Sequence, residues 1–193
     1  MHAERTDIWR LVAIDRGHRR VITARALANT AGAWAPMVAE TILRLPLPRQ
    51  VGTVQASQII VRRLFDTDHV YVFQHSDGRL IFASPYARDF TLIGTVTRAF
   101  TGDPAIAAML AADIAYLCDA VGRYLREPLR PFDVVKTVSA VNLAVARGAG
   151  GVPQDSVLLF EHQRRAAPLI TLFGGEVTTS RRRAERAVSL LTP

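Results

Sequence analysis

Hydrophobic and polar residues alternate with the period of a strand through much of the chain. Ile8-Trp9-Arg10-Leu11-Val12-Ala13-Ile14, then Asp15-Arg16-Gly17, then Arg20-Val21-Ile22-Thr23-Ala24 predict a hairpin. Ala26-Leu27-Ala28 reads as a short strand that ends in Asn29-Thr30-Ala31-Gly32. Pro36 suits an early helical position and Met37 to Leu43 continue that helix, which Pro46 and Pro48 end. Between Val51 and Thr97 the strand signal dominates. Gln58-Ile59-Ile60-Val61, His69 to Phe73, Arg79 to Phe82 and Phe90 to Thr95 are its segments, with a turn at Ser76-Asp77-Gly78.

A second pattern follows. Asp103-Pro104 pairs an N-cap with a first-turn proline, and Ile106, Met109, Leu110, Ile114, Leu117 and Val121 recur at helical spacing. This predicts one helix from Ala105 to about Leu125 with an apolar face laid on the sheet. Cys118 lies beside that stripe and reads as a small buried hydrophobe. Strands are expected over Asp133–Leu143, Val157–Phe160 and Leu169–Leu172, a flexible loop over Arg147–Pro153, and a last helix from near Thr179 to about Leu191. Successive hairpins argue for short antiparallel connections. The expected architecture is α+β: one domain over 1–193, mostly antiparallel sheet with helices packed on it.

Composition narrows the function classes. At 193 residues, 49% hydrophobic and 21% charged, the chain suits one good globular core. No stretch approaches the roughly 20 apolar residues of a membrane helix. Met1-His2-Ala3-Glu4-Arg5 carries an early acid with no apolar run behind it, so no secretory signal is expected and a cytoplasmic location is. One cysteine excludes an internal disulfide and a cysteine-based metal cluster. His2, His18, His69, His75 and His162 lack ligand-type spacing, so no metal site is expected; His69 and His75 flank a strand as exposed polar residues. The net charge of +7 rests on 24 basic residues of which Lys136 is the one lysine. These cations are spread along the chain with only 7% aromatics, which argues for coding bias and against a nucleic-acid surface.

Four segments carry a resemblance. Asn29-Thr30-Ala31-Gly32-Ala33-Trp34, Ser57-Gln58-Ile59-Ile60-Val61, Ile93-Gly94-Thr95 with Thr101-Gly102-Asp103-Pro104, and Phe173-Gly174-Gly175-Glu176-Val177-Thr178-Thr179 occur in this order. Together, from Ile8 to Leu191, the chain resembles the FAD-dependent glycerol-3-phosphate dehydrogenases. The resemblance implies the substrate-binding part of an FAD-dependent oxidoreductase over 50–165, with remnants of the FAD domain over 8–44 and 168–193. It implies FAD as cofactor, facing Ala31, Gly32, Gly174, Gly175, Thr178 and Thr179. Glycines ahead of a helix leave free backbone N–H groups at a positive helix end, suited to a phosphate or a flavin oxygen. Arg181, Arg182 and Arg183 oppose that helix dipole, and a nearby anion would offset them.

Departures from the family pattern fall on its chemistry. The opening Gly-x-Gly-x-x-Gly unit has no counterpart, because Gly148, Gly150 and Gly151 are wrongly spaced and Pro153 follows them. Gln58 holds the place of the family's histidine, so no catalytic residue is assigned. Asn142 replaces a substrate-binding arginine, Glu176 a lysine, and Val96-Thr97 a Thr-Asp pair. The family's later Arg-Asp-Tyr segment has no counterpart between Gly151 and Phe160. The expectation is a truncated relative without activity of its own. Two alternatives stay open: a subunit completed by a separate FAD-binding polypeptide across an exposed sheet edge, and a non-enzymatic interaction module using the basic surface. No amphipathic helix argues for peripheral membrane contact.

Overall fold

The computed structural model describes residues 2–48, 51–145 and 156–191. The expected loop at Arg147–Pro153 lies outside them. In chain order the elements are β1 (His2–Arg5), β2 (Trp9–Asp15), β3 (His18–Ala24), β4 (Leu27–Asn29) and α1 (Ala35–Met37), which continues as a π-helix over Val38–Leu43. Then come β5 (Val51–Arg62), β6 (Tyr71–Gln74), β7 (Leu80–Tyr86), β8 (Phe90–Ala99), α2 (Ala111–Gly122), β9 (Val134–Val145), β10 (Ser156–Gln163), β11 (Ala166–Gly174) and α3 (Ser180–Leu191). Where the sequence suggests one body, contacts divide the chain into two compact units: Met1–Thr53 with Asn142–Pro193, and Val54–Val141. The ranges 8–44 and 168–193 fall in the first unit, while 50–165 contributes to both.

The first unit holds two three-stranded sheets, β1-β2-β3 and β10-β11-β4. β2 and β3 form the predicted hairpin, closed at Asp15↔His18. Arg16 and Gly17 both take positive φ, 47° and 82°, the twist a two-residue hairpin turn requires. β1 was not foreseen, since His-Ala-Glu-Arg has no apolar face; it forms because Arg5 is held at both ends of its guanidinium. Arg5 donates to the Ala167 carbonyl at 2.8 Å and to the Glu161 carboxylate at 3.0 Å. Trp9, buried with Ala167 and Leu169, donates its indole N–H to the Pro168 carbonyl at 3.0 Å. β11 runs antiparallel to β10 and parallel to β4. The helix after β4 stops at Arg44, two residues before Pro46, because Arg44 turns left-handed at φ 57°.

In the second unit the sheet order is β6-β7-β8-β5-β9. α2 covers one face with Leu117, Cys118, Ala120 and Val121 against Ile59, Val61, Ile81, Ala83, Ile93 and Val96. Burial pushes the Cys118 thiol up to about 11, so it packs as a small hydrophobe. The long helix expected from Ala105 breaks in two. Asp103 caps only a single turn, Pro104–Ile106, by accepting from the Ala105 N–H, and Ala107 is extended. Helix resumes at Ala111. The cause is the Ala108 carbonyl, which accepts from Gln55 at 2.8 Å and from Arg98 at 3.2 Å. Gln55 is fully buried and needs that acceptor, whereas Ile106 stays 77% exposed.

A glycine-lined cleft as the candidate cofactor surface

β4 ends at Asn29, a buried side chain that folds the following turn back on itself. Its amide donates to the Ala35 carbonyl at 3.0 Å, and its oxygen accepts from the Ala31 N–H at 3.3 Å. This places Gly32 at φ 58°, where a Cβ would meet nothing within 4 Å. The glycine is thus required by conformation, and its surface is left open. β11 ends in the same way: Gly174 and Gly175 take φ 73° and 106°. Both strand ends border one cleft of about 530 Å³, lined by Gly32, Ala33, Asn142 to Val145, and Gly174 to Val177.

Of the six residues expected to face a cofactor, this cleft gathers Gly32, Gly174 and Gly175. Ala31 lines a different, apolar cleft. Thr178 is exposed beside the lining, and the Thr179 hydroxyl is engaged locally, donating to the Glu176 carbonyl at 3.2 Å and accepting from Arg183. The expected anion-facing arginines divide their work. Arg181 pairs with Glu185 one turn on, at 2.9 Å. Arg183 folds back over Gly175, where an added Cβ would lie 2.2 Å from its guanidinium carbon, and donates to the Glu176 carbonyl. Arg183 therefore satisfies the loop's own oxygens. Asn142 borders the cleft, and Glu176 is the one charged residue among the described residues of its lining.

The position that resembles a catalytic histidine lies in the second unit. Gln58 sits at an irregularity of the β5–β8 ladder, opposite Gly94. A Cβ on Gly94 would stand 2.5 Å from the Gln58 Cγ, so the glycine makes room for that side chain. Its amide donates to the Thr95 hydroxyl at 3.1 Å. An amide so placed orients a polar group and takes no proton near neutrality.

A family model described as FAD dependent oxidoreductase matches residues 2–175. The chain belongs to that family of FAD-dependent oxidoreductases. It is 33% identical over 196 residues to a glycerol-3-phosphate dehydrogenase of Pseudomonas aeruginosa, an alignment covering 100% of this chain and 36% of that protein. It is 36% identical over 180 residues to a D-erythritol 1-phosphate dehydrogenase of Brucella abortus, covering 92% of this chain and 36% of that one. The chain thus spans about a third of the length of these curated relatives. A crystal structure of the glycerol-3-phosphate dehydrogenase of Bacillus halodurans complexed with FAD matches with a TM-score of 0.74 at 25% identity, covering 94% of this chain and 35% of that one. The α+β, mostly antiparallel architecture is shared with it.

FAD is the cofactor that membership in the family assigns, and the cleft fits part of one. Open glycine backbone and the aliphatic walls of Leu143, Ala144 and Val145 suit a planar, uncharged ring system. Among the described residues the lining adds one carboxylate, Glu176, and the neighbouring Arg183 guanidinium donates to the Glu176 carbonyl and the Thr179 hydroxyl. No helix of the described residues is long and apolar enough to cross a membrane.

Two polar assemblies of this chain escaped the sequence reading. Gln55, Ser57, Ile59 and Val61 alternate along β5 and are all buried, so period two would have placed both polar residues inside. Ser57 and Ser139 share a hydrogen bond of 2.8 Å, and Arg98 donates to the Gln55 oxygen at 2.8 Å. The second assembly corrects His75. His69 is exposed as expected, but the His75 side chain is only 12% exposed, with its ring nitrogens 3.1 Å from Asp77 and 3.2 Å from Asp119. Its ring also meets that of Tyr116. The Arg79 guanidinium, 2.6 Å from Asp77, holds that carboxyl well below the usual range, helped by His75 and the Tyr116 hydroxyl. Arg123, then His75, lower Asp119. This clasp ties the β6–β7 turn to α2.

Proposed function

We propose that this chain keeps a cofactor-facing surface of the FAD-dependent oxidoreductases but does not by itself oxidise glycerol 3-phosphate to dihydroxyacetone phosphate. The observation that carries the reading is Gln58. Oxidising a secondary alcohol requires a group that accepts the hydroxyl proton, and positioned general bases contribute roughly 10²–10⁴-fold to such steps. A carboxamide bonded to Thr95 supplies none. Two further residues support the reading. Asn142 is neutral and short where the resemblance implies an arginine. Glu176 sets a negative charge in the cleft where a phosphate dianion would need a positive one. The relatives' names include two phosphorylated polyols as substrates, so both are the right compounds to try.

The test is dye reduction by the purified chain after incubation with FAD, with glycerol 3-phosphate and D-erythritol 1-phosphate as electron donors. The expected rate equals that without substrate. Saturable, substrate-dependent reduction would sink the proposal. The absorption spectrum of the same sample, after removal of free cofactor, reads separately whether flavin is retained.

A further inference from the structure

β3 is an edge strand, paired on one side with β2. Its other side carries no ladder among the described residues, so every second backbone N–H and C=O points outward. Every residue from His18 to Thr23 is exposed. The opposite edge of the same sheet, β1, has its charges neutralised. Arg5 pairs with Glu161 at 3.0 Å, and Glu4 with His2 and Arg10 at 3.3 and 3.4 Å. The charges of β3 stay unpaired. Arg16, Arg19, Arg20 and Arg25 are exposed and engage no acid among the described residues, and Asp15 is the one acid between Trp9 and Arg25. Aliphatic side chains accompany them: Val21 is 51% exposed, Ile22 48%, and Ile14, across the ladder from Arg19, 70%. No residue of β3 lines the glycine cleft or the apolar cleft, so this is a separate surface.

We propose that β3 takes up an acidic, extended peptide segment of another protein as a further antiparallel strand. The chemistry of the occupant follows from the pleat. Arg19 and Val21 stand on one face of β3, Arg20 and Ile22 on the other, so each face presents an arginine and then an aliphatic side chain. Cross-strand neighbours stabilise a sheet when opposite charges face each other and apolar groups meet. A strand running antiparallel therefore reads aliphatic, aliphatic, acid, acid, opposite Ile22, Val21, Arg20 and Arg19 in turn. Antiparallel addition continues the sense of β1, β2 and β3, and antiparallel sheets tolerate a face open to water. Charge selects among occupants. A second copy of this chain would bring two sets of four unpaired arginines onto one ribbon, and like charges set opposite each other destabilise it. Bare arginines at an edge ward off apolar and basic strands while admitting an acidic one. A nucleic acid would use the arginines but leave Val21, Ile22 and the outward backbone groups without a role.

The test is fluorescence anisotropy of a labelled peptide, Gly-Thr-Val-Val-Glu-Glu-Thr-Gly, titrated with the full chain. Saturable binding is expected, weakening about tenfold from low to high salt, with backbone amide exchange slowed over His18–Ala24. Peptides with the reversed core Glu-Glu-Val-Val, or with glutamates throughout the core, should each bind about tenfold more weakly. The doubly substituted chain, Arg19→Glu with Arg20→Glu, should lose the acidic peptide and gain one with the core Val-Val-Lys-Lys, at an unchanged thermal midpoint. That exchange of preference separates redirected recognition from misfolding. Ile106→Glu, exposed in the second unit, should leave affinity as it was. No binding, equal binding of the two core orders, equal binding of a single-stranded oligonucleotide, or protection outside β3 would overturn the proposal, as would dimerisation of the free chain through β3.

Discussion

The second unit closes on itself, whereas the first is built of pieces. One helix, α2, and three strands of the second unit, β5, β7 and β8, bury a single cluster in which ten side chains are essentially inaccessible. Among its described residues the first unit has two small apolar clusters, one around Trp9 and Leu169, the other around Ala35, Ala39 and Phe173. Its sheets have three strands each, and α3 buries no residue. The contrast separates a unit held by one shared core from a unit held by small local ones. The closed unit carries Gln58 on β5, opposite Gly94 of β8. The open unit sets Gly32, Gly174 and Gly175 along one cleft.

The largest effect that would sharpen the comparison is expected from Leu117→Ala, which empties the centre of the closed core. It should cost about 2–5 kcal/mol in urea unfolding of the chain, the range for a buried leucine whose site does not collapse. A loss below about 1 kcal/mol would mean that the second unit is as loosely built as the first. Gly32→Ala tests the open unit by conformation alone, since a methyl group there meets no atom. The left-handed backbone should cost it roughly 1–2 kcal/mol, read as a lowered thermal midpoint. An unchanged midpoint would show that this turn relaxes freely.

Acid provides a third and smaller probe, confined to the second unit. Asp77 and Asp119 titrate lower folded than unfolded, so their stabilisation is complete above the ordinary carboxylate value of 3.8 and is lost as pH falls below it. Urea midpoints measured from pH 7 to pH 2.5 should therefore decline more steeply in the native chain than in Asp77→Asn. Parallel curves would show that the clasp of His75, Asp77 and Tyr116 contributes nothing. Smallest of all is the chemical probe at Cys118. Its thiol, raised to about 11 by burial, should resist iodoacetamide at pH 8 in the folded chain and react only in urea. Rapid native labelling would mean that α2 lifts from the sheet.

Much of the frame was legible because its causes are local. Gly17 after Arg16 announces a hairpin, and the run Gln58-Ile59-Ile60-Val61 announces a strand. What failed was set by distant partners. Helical periodicity from Ile106 to Leu110 is real, but no local rule reveals that Gln55 and Arg98 claim the carbonyl of Ala108. His75 looks like a turn residue until α2 brings Asp119 and Tyr116 to it. The same holds for the candidate surface. Gly32, Gly174 and Gly175 were found by resemblance, and they converge because β4 and β11 pair in parallel across 142 positions of sequence, from Leu27 to Leu169. Ala31, Thr178 and Thr179 stand next to them in the chain and yet outside the cleft, since a turn and a short helical twist point successive residues in different directions.

The chain crosses from one unit to the other within β5 and again within β9, and these two strands are neighbours in the five-stranded sheet. Residues 54–141 are consequently an insert whose entrance and exit lie side by side. In evolutionary terms such an insert is a cassette. It can be exchanged, shortened or diverged without rerouting its host.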